Sequence, residues 1–479
     1  MTAVPPTPRE PLSVASLDRL RTLVGPAGYL DQPGDLEPYT VDHRRLYRGA
    51  TALVLRPDST DQVAAILGYC HEAGIGVVPV GGNTSYCGGA TPSADGSQVV
   101  VSLARMRRVR KIDPFNFTMT LEAGCTLAQA QAAAAEADRL FPLSLGSEGS
   151  CQIGGNLSTN AGGTAVLRYG MMRDLILGLE VVLPDGRILE GLSPLRKDNT
   201  GYDLRDLFIG AEGTLGIITA ASCKLFSRPA TVVTALLAVP EPQAAVTLLS
   251  RLRAATSDAV STFELIPRLA LELVLEHIDR TQDPFDAVHP WYVLLEVGSG
   301  RHASLREGME NELAAAIEAG EALDAVLANS EAQREMFWRL RETIPEAQSR
   351  EGASIKHDIS VTTSELPRFM TEASAAILRI EPRARIVSYG HLGDGNLHFN
   401  ASQPLGGDAA AFAALAPSIN RSVHDLVARY GGSFSAEHGI GQLKRDELAR
   451  YKSPVAMSVM RTIKQALDPR GIMNPGKVL

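Results

Sequence analysis

The chain has 479 residues, of which 45% are hydrophobic and 21% are charged, and its formal net charge is −8. This composition is typical of a globular protein rather than a disordered one, and the length predicts two or three lobes. The acidic balance argues against a nucleic-acid-binding protein, which needs a basic face to meet phosphates.

Residues 1–45 are predicted to form a proline-bearing lead-in with one helix, at 16–23. From residue 46 to residue 229, short β-branched runs alternate with helical stretches, which is typical of a mixed helix and sheet domain. The sequence Leu183–Ile188 predicts a hairpin, because Asp-Gly supplies the turn between two apolar strands. The other elements predicted in this region are strands at 52–55, 77–80, 99–102, 181–183 and 217–219 and helices at 60–73 and 127–137.

From residue 230 to residue 434 the glycine clusters of the first region stop, and longer amphipathic helices indicate a separate α+β lobe. Its predicted elements are helices at 242–255, 303–319 and 364–380 and strands at 291–296 and 385–389. Residues 435–479 are again rich in Gly and Pro and carry a helix at 454–467. This last segment is predicted to pack on the first domain.

The cysteines and the hydropathy pattern indicate where in the cell the protein is located. The five cysteines are widely spaced and contain no CxxC pair, which predicts reduced thiols in a reducing compartment. The first residues lack the charged start and apolar run of a signal peptide. No apolar stretch reaches the roughly 18 residues that a membrane span requires. We therefore expect a cytoplasmic protein without a membrane span.

Three glycine clusters lie in the first domain, at 79–89, 146–163 and 210–216. Consecutive glycines permit positive φ, and their N–H groups converge readily on an anion such as a diphosphate. Any one cluster has an equally good explanation as a tight turn, but three clusters in one domain favour a ligand cradle. Neither GxGxxG nor GxxxxGK[ST] occurs, which argues against a nicotinamide-dinucleotide fold and against an ATP-binding loop.

Two motifs offer candidate metal ligands and a base. His391 and His398 flank a Gly-Asp-Gly turn, and Glu437 stands next to His438. Two imidazoles and a carboxylate form an open ligand set for a catalytic divalent ion. Histidines in loops are as often merely solvated, so the spacing alone leaves both interpretations open. Asp394 is left out, because an aspartate in a turn more often caps its own backbone.

Several phrases of the sequence resemble a known family. The phrases GGNTS at 81–85, GGNLSTNAGG at 154–163, RKDNTGYD at 196–203 and FIGAEGTLG at 208–216 resemble the FAD domain of the vanillyl-alcohol-oxidase superfamily. Within it the chain is most similar to the D-2-hydroxy acid dehydrogenases that act on D-2-hydroxyglutarate, D-lactate or glycolate. The resemblance implies an α+β fold: a PCMH-type FAD-binding domain of two α+β subdomains (46–229), an α+β substrate or cap domain with the metal site (230–434) and a C-terminal segment (435–479) that returns to the FAD domain.

The same resemblance implies an FAD whose diphosphate lies on the first glycine loop. Thr84 stands where covalent members of the superfamily have a histidine, so we expect the flavin to be noncovalent. The cofactor-binding residues implied by the resemblance are Pro79, Gly81, Gly82, Asn83, Thr84, Ser85, Gly88, Gly89, Pro142, Gly146, Ser150, Gly154, Gly155, Asn156, Thr159, Asn160, Gly162, Gly163, Glu212, Gly213, Gly216, Ile217 and Asn474.

The resemblance also assigns the metal and the base. It implies that His391, His398 and Glu437 bind a divalent metal, with Zn²⁺ expected first and Mn²⁺ or Co²⁺ as alternatives. His438 matches the general base, and a histidine with a pKa near neutrality suits removal of a hydroxyl proton. A metal bound to the hydroxyl and one carboxylate oxygen would act as a Lewis acid, and hydride would pass to the flavin.

Arg341, Lys356 and Asn400 match substrate-binding residues of these dehydrogenases. Arg is well suited to grip a carboxylate through two hydrogen bonds, although the pattern around Arg341 alone favours an ordinary charge on a helix face. Pro345 departs from the hydroxyglutarate pattern, which often has a hydroxyl residue there. The expected substrate is D-2-hydroxyglutarate, with D-lactate, D-malate or glycolate as alternatives.

The relatives further imply an electron-transfer flavoprotein or a quinone as the electron acceptor, and a homodimer. Three alternatives stay open: an oxidase of the same family, a metallohydrolase built on the two histidines and the glutamate, and a noncatalytic flavin-binding subunit. A HExxH helix is absent from the sequence, which argues against the hydrolase.

Overall fold

The structure, a computed structural model, describes residues 12–300 and 304–479. These residues form two compact units. Unit 1 contains residues 12–162, 171–227 and 437–479, and unit 2 contains residues 163–170 and 228–436 except 301–303. The units divide at 227/228 and 436/437, whereas the sequence predicted boundaries after 229 and after 434. The sequence did not predict that residues 163–170 group with unit 2.

The elements are numbered in chain order. The strands are β1 (Tyr29–Leu30), β2 (Val54–Leu55), β3 (Gly76–Val80), β4 (Gln98–Ser102), β5 (Val109–Asp113), β6 (Thr118–Glu122), β7 (Arg139–Leu140), β8 (Ile176–Val182), β9 (Ile188–Gly191), β10 (Ile217–Lys224), β11 (Phe226–Ser227), β12 (Thr231–Val239), β13 (Val260–Pro267), β14 (Trp291–Ser299), β15 (Asp324–Leu327), β16 (Ser354–Ile355), β17 (Asp358–Ser360), β18 (Arg385–His391) and β19 (Asn396–Ser402). The α-helices are α1 (Val14–Val24), α2 (Pro33–Thr40), α3 (Thr60–Ala73), α4 (Leu127–Glu136), α5 (Ile153–Ser158), α6 (Val166–Tyr169), α7 (Arg205–Phe208), α8 (Pro242–Thr256), α9 (Arg268–His277), α10 (Leu305–Glu318), α11 (Glu331–Glu342), α12 (Ile344–Arg350), α13 (Leu366–Ile380), α14 (Ala409–Ala413), α15 (Ala416–Arg429), α16 (Arg445–Tyr451) and α17 (Pro454–Leu467).

The periodic helices are confirmed. Helices α3 and α17 have the predicted bounds, and α3 shows why: the Ser59 side chain accepts from the N–H of Gln62 at its start, and Gly74 adopts the left-handed conformation at its end. Helix α10 begins at Leu305, and the predicted first residue, 303, lies outside the described residues. The predicted hairpin at 183–188 is also present, since Val182 pairs with Ile188.

Some strands were predicted too short. Strand β8 begins at Ile176 and β10 continues to Lys224, several residues beyond the predicted limits. Both strands are buried along nearly their whole length. A strand buried on both faces does not show the alternation of polar and apolar residues by which its ends are recognised in a sequence.

Unit 1 has the two mixed subdomains that the family resemblance implied. One sheet has the order β1-β2-β4-β3 with parallel pairing of β4 to both neighbours, and the other is the antiparallel sheet β5-β6-β10-β8-β9. The C-terminal segment returns to the first sheet as expected. The N–H of Val77 donates to the carbonyl of Ile472 at 2.8 Å, and the N–H of Asn474 donates to the carbonyl of Val77 at 2.8 Å.

Unit 2 is built on an antiparallel sheet, which within the described residues has the order β15-β12-β14-β13-β18-β19-β16, with β17 also paired to β19. One face of the sheet packs on α8, α10, α13 and α15, and the other packs on α9, α11 and α12. In β13, Phe263 and Leu265 belong to the first face and Ile266 belongs to the second. Because side chains alternate along a strand, Glu264 lies on the second face, beneath α11 and α12.

Candidate active site

The three glycine clusters meet in unit 1. A Cβ added to Gly82 would lie 2.0 Å from the carbonyl oxygen of Ser150, so the first loop packs directly on the second cluster. A Cβ added to Gly213, which has a φ of +70°, would lie 2.8 Å from the Pro79 ring. The third cluster therefore contacts the start of the first loop, and glycine is required at both contacts.

Other glycines of the second cluster have open space beside them. A Cβ added to Gly146, Gly149 or Gly155 would meet no described atom within 4 Å, and none of the three has a positive φ. Among the described residues, the buried Oε1 of Gln152 has no hydrogen-bond partner. Open space beside exposed backbone and an unsatisfied polar atom fit a large polar cofactor such as FAD.

Two predicted cofactor residues make contacts within unit 1 that the sequence did not reveal. The Glu212 carboxylate accepts the N–H groups of Ile440 at 2.7 Å and Gly441 at 2.8 Å, and the Asn474 amide donates to the carbonyls of Gly89 and Glu212 at 2.9 and 2.7 Å. Burial raises the pKa of Glu212, and the two backbone N–H groups only partly offset that rise. These contacts fasten the C-terminal segment to the glycine clusters, and a direct contact of either residue with the cofactor stays a prediction.

Glu437 and His438 lie in unit 1, immediately before the residues held by Glu212. The Nε2 atom of His438 is 3.9 Å from Oε1 of Glu437. The His438 ring meets the Tyr86 ring edge-on with 4.7 Å between their centroids. Tyr86 belongs to the first glycine loop, and the sequence analysis had not singled it out. The predicted base therefore stands beside the loop predicted to hold the cofactor.

His391 and His398 come together in unit 2, at the connection between β18 and β19. Gly395, with a φ of 87°, closes the turn, and Asp394 accepts the N–H of Asn396 at 3.0 Å as a turn aspartate is expected to do. The ring centroids of the two histidines are 5.6 Å apart. The turn thus places both imidazoles on one side of the sheet.

Glu264 is a site residue that the sequence analysis missed. Its Oε1 is 2.5 Å from Nδ1 of His391, and its Oε2 accepts from Nε of Arg341 at 2.7 Å and lies 2.7 Å from Nη2. Burial raises the pKa of this fully buried carboxyl, but Arg341 and His391 together lower it to about 2. The available signal was a single charged residue within the apolar strand VSTFELIP.

The chemistry of these donors fits a divalent metal. Because Nδ1 of His391 contacts Glu264, Nε2 is the ring nitrogen with which His391 would coordinate a metal, and metal-binding histidines usually pair with a carboxylate in this way. Asp358 lies opposite His398 in the β17–β19 pairing, and a carboxylate oxygen of Asp358 is within 4.8 Å of a ring nitrogen of His398. Asp358 is a further candidate that the sequence analysis missed.

A second group in unit 2, Glu276, His277 and Glu351, has similar chemistry. Its Glu351 carboxylate already contacts His277 at 2.6 Å and the Arg385 guanidinium at 2.9 Å. A cation at this place would compete with Arg385, so the pair at the β18–β19 turn is the better candidate.

The three predicted substrate residues all lie in unit 2. Arg341 on α11 is buried, and its guanidinium carbon lies 4.9 Å from the centre of the Tyr389 ring. Asn400 on β19 is buried and donates to Gln348 at 2.9 Å. Lys356 is exposed between β16 and β17. Pro345 occupies the first turn of α12, where a missing N–H does not disturb the helix.

Comparisons with known proteins agree with this architecture. Residues 51–191 match a family model described as FAD binding domain, and residues 228–478 match one described as FAD linked oxidases, C-terminal domain. A mitochondrial D-2-hydroxyglutarate dehydrogenase of Bos taurus is 41% identical over 99% of this chain and 86% of its own length. A D-2-hydroxyglutarate dehydrogenase of Stutzerimonas stutzeri is 37% identical over 97% of this chain and 98% of its own length. A mitochondrial protein of Schizosaccharomyces pombe, provisionally named as a D-lactate dehydrogenase, is 37% identical over 97% of this chain and 90% of its own length.

Solved structures show the same fold at lower sequence identity. A p-cresol methylhydroxylase with substrate bound has a TM-score of 0.75 and 17% identity, covering 96% of both chains. An alkyldihydroxyacetonephosphate synthase has a TM-score of 0.71 and 18% identity, covering 97% of this chain and 85% of its own.

The cytoplasmic location expected from the sequence is wrong by these comparisons. The relatives from Bos taurus, Rattus norvegicus and Arabidopsis thaliana are named as mitochondrial proteins. None of the five cysteines forms a disulfide. Reduced thiols do not identify the cytoplasm, because other interiors of the cell are also reducing. No helix among the described residues has the length and apolar character needed to cross a membrane.

Proposed function

Because the chain belongs to the FAD-linked oxidase family and is an FAD-dependent oxidoreductase, we propose that it dehydrogenates D-2-hydroxyglutarate to the 2-oxo acid. The observation that carries the proposal is the likeness to D-2-hydroxyglutarate dehydrogenases over 99% of this chain. The contact of Glu264 with both Arg341 and His391 supports it, since it holds a carboxylate-binding guanidinium near the imidazole pair.

In this proposal each side chain has one task. Arg341 and Lys356 bind the substrate carboxylates, and Asn400, held by Gln348, contacts the substrate. His438 removes the hydroxyl proton as the carbon is oxidised. The noncovalent FAD, when bound, supplies the hydride acceptor.

We further propose that His391 and His398 are imidazole ligands of a divalent metal, with Zn²⁺ expected first and Mn²⁺ or Co²⁺ as alternatives. The metal, when bound, would supply Lewis-acid chemistry at the substrate hydroxyl. Glu437 as the third ligand stays a prediction from the sequence. An electron-transfer flavoprotein or quinone as acceptor, and a homodimer, also stay predictions.

D-Lactate is the second candidate substrate. Pro345 lacks the hydroxyl that the hydroxyglutarate pattern often has, and one relative is provisionally named as a D-lactate dehydrogenase. The test is anaerobic mixing of the metal-replete protein with D-2-hydroxyglutarate, its L enantiomer, D-malate and D-lactate in turn, while the visible flavin absorption is followed. Bleaching by D-2-hydroxyglutarate at the lowest concentration supports the proposal, whereas bleaching by D-lactate alone replaces the substrate. A yellow protein that none of the acids bleaches refutes the proposed reaction.

Substituting Gly155 by Ala tests where the cofactor lies. The new methyl group meets no described atom outside α5 within 4 Å, and Ala is favoured over Gly inside a helix, so we expect the unfolding temperature of the apo-protein not to fall. If FAD fills that space, overpacking weakens its binding by about 1–3 kcal/mol. Gly308→Ala in α10, another open helical glycine, is the matched control and should keep its FAD affinity. Equal FAD affinities of the two variants, measured by titration of apo-protein, would exclude Gly155 from the cradle.

A further inference from the structure

Glu264, Arg341 and His391 form a buried triad in unit 2. It links a residue proposed to bind substrate, Arg341, to a residue proposed to bind a metal, His391. Arg341 comes from α11 and His391 from the end of β18, and Glu264 on β13 contacts both. We propose that Glu264 is a positioning residue that orients the substrate-binding guanidinium and the metal-binding imidazole together. The inference rests on the proposed function for the roles of Arg341 and His391, and it adds a residue for which no role has so far been assigned.

On the arginine side, Glu264 restricts a long side chain. Nε of Arg341 donates to Oε2 at 2.7 Å, Nη2 lies 2.7 Å from the same oxygen, and the guanidinium lies over the Tyr389 ring. These contacts hold the guanidinium plane in one orientation and engage two of its three nitrogens. Glu264 does not contact Nη1. Because the guanidinium is planar, fixing its plane also fixes the direction in which Nη1 donates. A guanidinium oriented before binding loses less conformational entropy when it binds a carboxylate.

On the histidine side, Glu264 selects a tautomer. The 2.5 Å contact with Nδ1 favours the imidazole with its proton on Nδ1, so that Nε2 has the lone pair that a metal requires. The other carboxylate oxygen contacts Arg341, so one side chain satisfies both neighbours. Loss of the carboxylate therefore disturbs the guanidinium and the imidazole at once.

Glu296 shows what an ordinary buried glutamate of the same sheet face does. It lies on the neighbouring strand β14, and its Oε1 accepts from Thr234, Arg334 and Trp338 at 2.8, 2.7 and 2.8 Å. Arg334 and Trp338 belong to α11, the helix that also carries Arg341. Glu296 thus anchors the same helix to the same sheet, but its partners have no proposed role in binding substrate or metal.

The test compares Glu264→Gln with Glu296→Gln in the FAD-loaded full-length protein. We expect Glu264→Gln to weaken Co²⁺ binding to the metal-free protein by about 10-fold or more, measured by calorimetry. We expect its KM for D-2-hydroxyglutarate to rise by about 10-fold or more while that of Glu296→Gln changes little. If the two variants have the same Co²⁺ affinity and the same KM, Glu264 has only a structural role and the inference is wrong.

A second measurement needs no variant of Glu264. In ¹⁵N-histidine-labelled, metal-free wild-type protein, the signal lost in His391→Gln should show a proton on Nδ1. A neutral ring whose only proton is on Nε2 overturns the inference even if Glu264→Gln fails to fold. If no hydroxy acid bleaches the flavin of the wild-type protein, the proposed function is refuted. The tautomer of His391 and the Co²⁺ affinity would still show whether Glu264 orients His391.

Discussion

Replacement of His438 by Asn is expected to leave FAD bound and to slow flavin reduction by the substrate by about 10²–10⁴-fold. Asn keeps a polar side chain of similar reach but cannot accept a proton near neutral pH. His438 stands beside Glu437 and against Tyr86 of the first glycine loop, and Glu212 fastens the residues that follow it. The backbone at this position is therefore held by groups other than the imidazole.

The measurement is the rate of anaerobic flavin bleaching after rapid mixing with saturating substrate. His43→Asn is the matched control, because His43 also meets the Tyr86 ring, with 5.7 Å between centroids, but has no proposed catalytic role. Wild-type reduction rates in His438→Asn would remove His438 as the base. Loss of FAD from the variant would indicate a structural role instead.

Replacement of His398 by Asn is expected to lower the affinity for a divalent metal by more than about 100-fold. Removal of a direct metal ligand weakens metal binding more than removal of a carboxylate that only hydrogen-bonds to a ligand. Flavin reduction by D-2-hydroxyglutarate should fall with the metal content, while FAD stays bound in unit 1. The measurement is metal content by elemental analysis after dialysis, together with the rate of flavin bleaching.

His277→Asn is the control for this prediction, because His277 belongs to the other carboxylate and imidazole group of unit 2. It should keep the metal and the bleaching rate. If His277→Asn loses the metal and His398→Asn retains it, the metal site is the group formed by Glu276, His277 and Glu351. A chelator should reproduce the effect of His398→Asn in the wild type, and the ion that restores bleaching identifies the metal.

The sequence by itself determined those features that depend on residues close together along the chain. Helix α3 was predicted with its bounds because Ser59 and Gly74 cap it locally. The glycine clusters and the turn between His391 and His398 were recognised for the same reason: a short segment contains all the residues that define them. The family resemblance likewise rests on contiguous phrases, and the comparisons confirm it.

Only the tertiary structure decided the contacts between residues far apart in the chain. Glu264 is 127 residues from His391 and 77 from Arg341, and Glu212 is 228 residues from Ile440. Residues 163–170 begin at the last glycine of a motif of the first domain, yet the Arg168 guanidinium of α6 donates to the carbonyl of Gly298 in unit 2. Such contacts are set by strand register and helix packing, which depend on the whole core, so no local pattern of residue types could have predicted them.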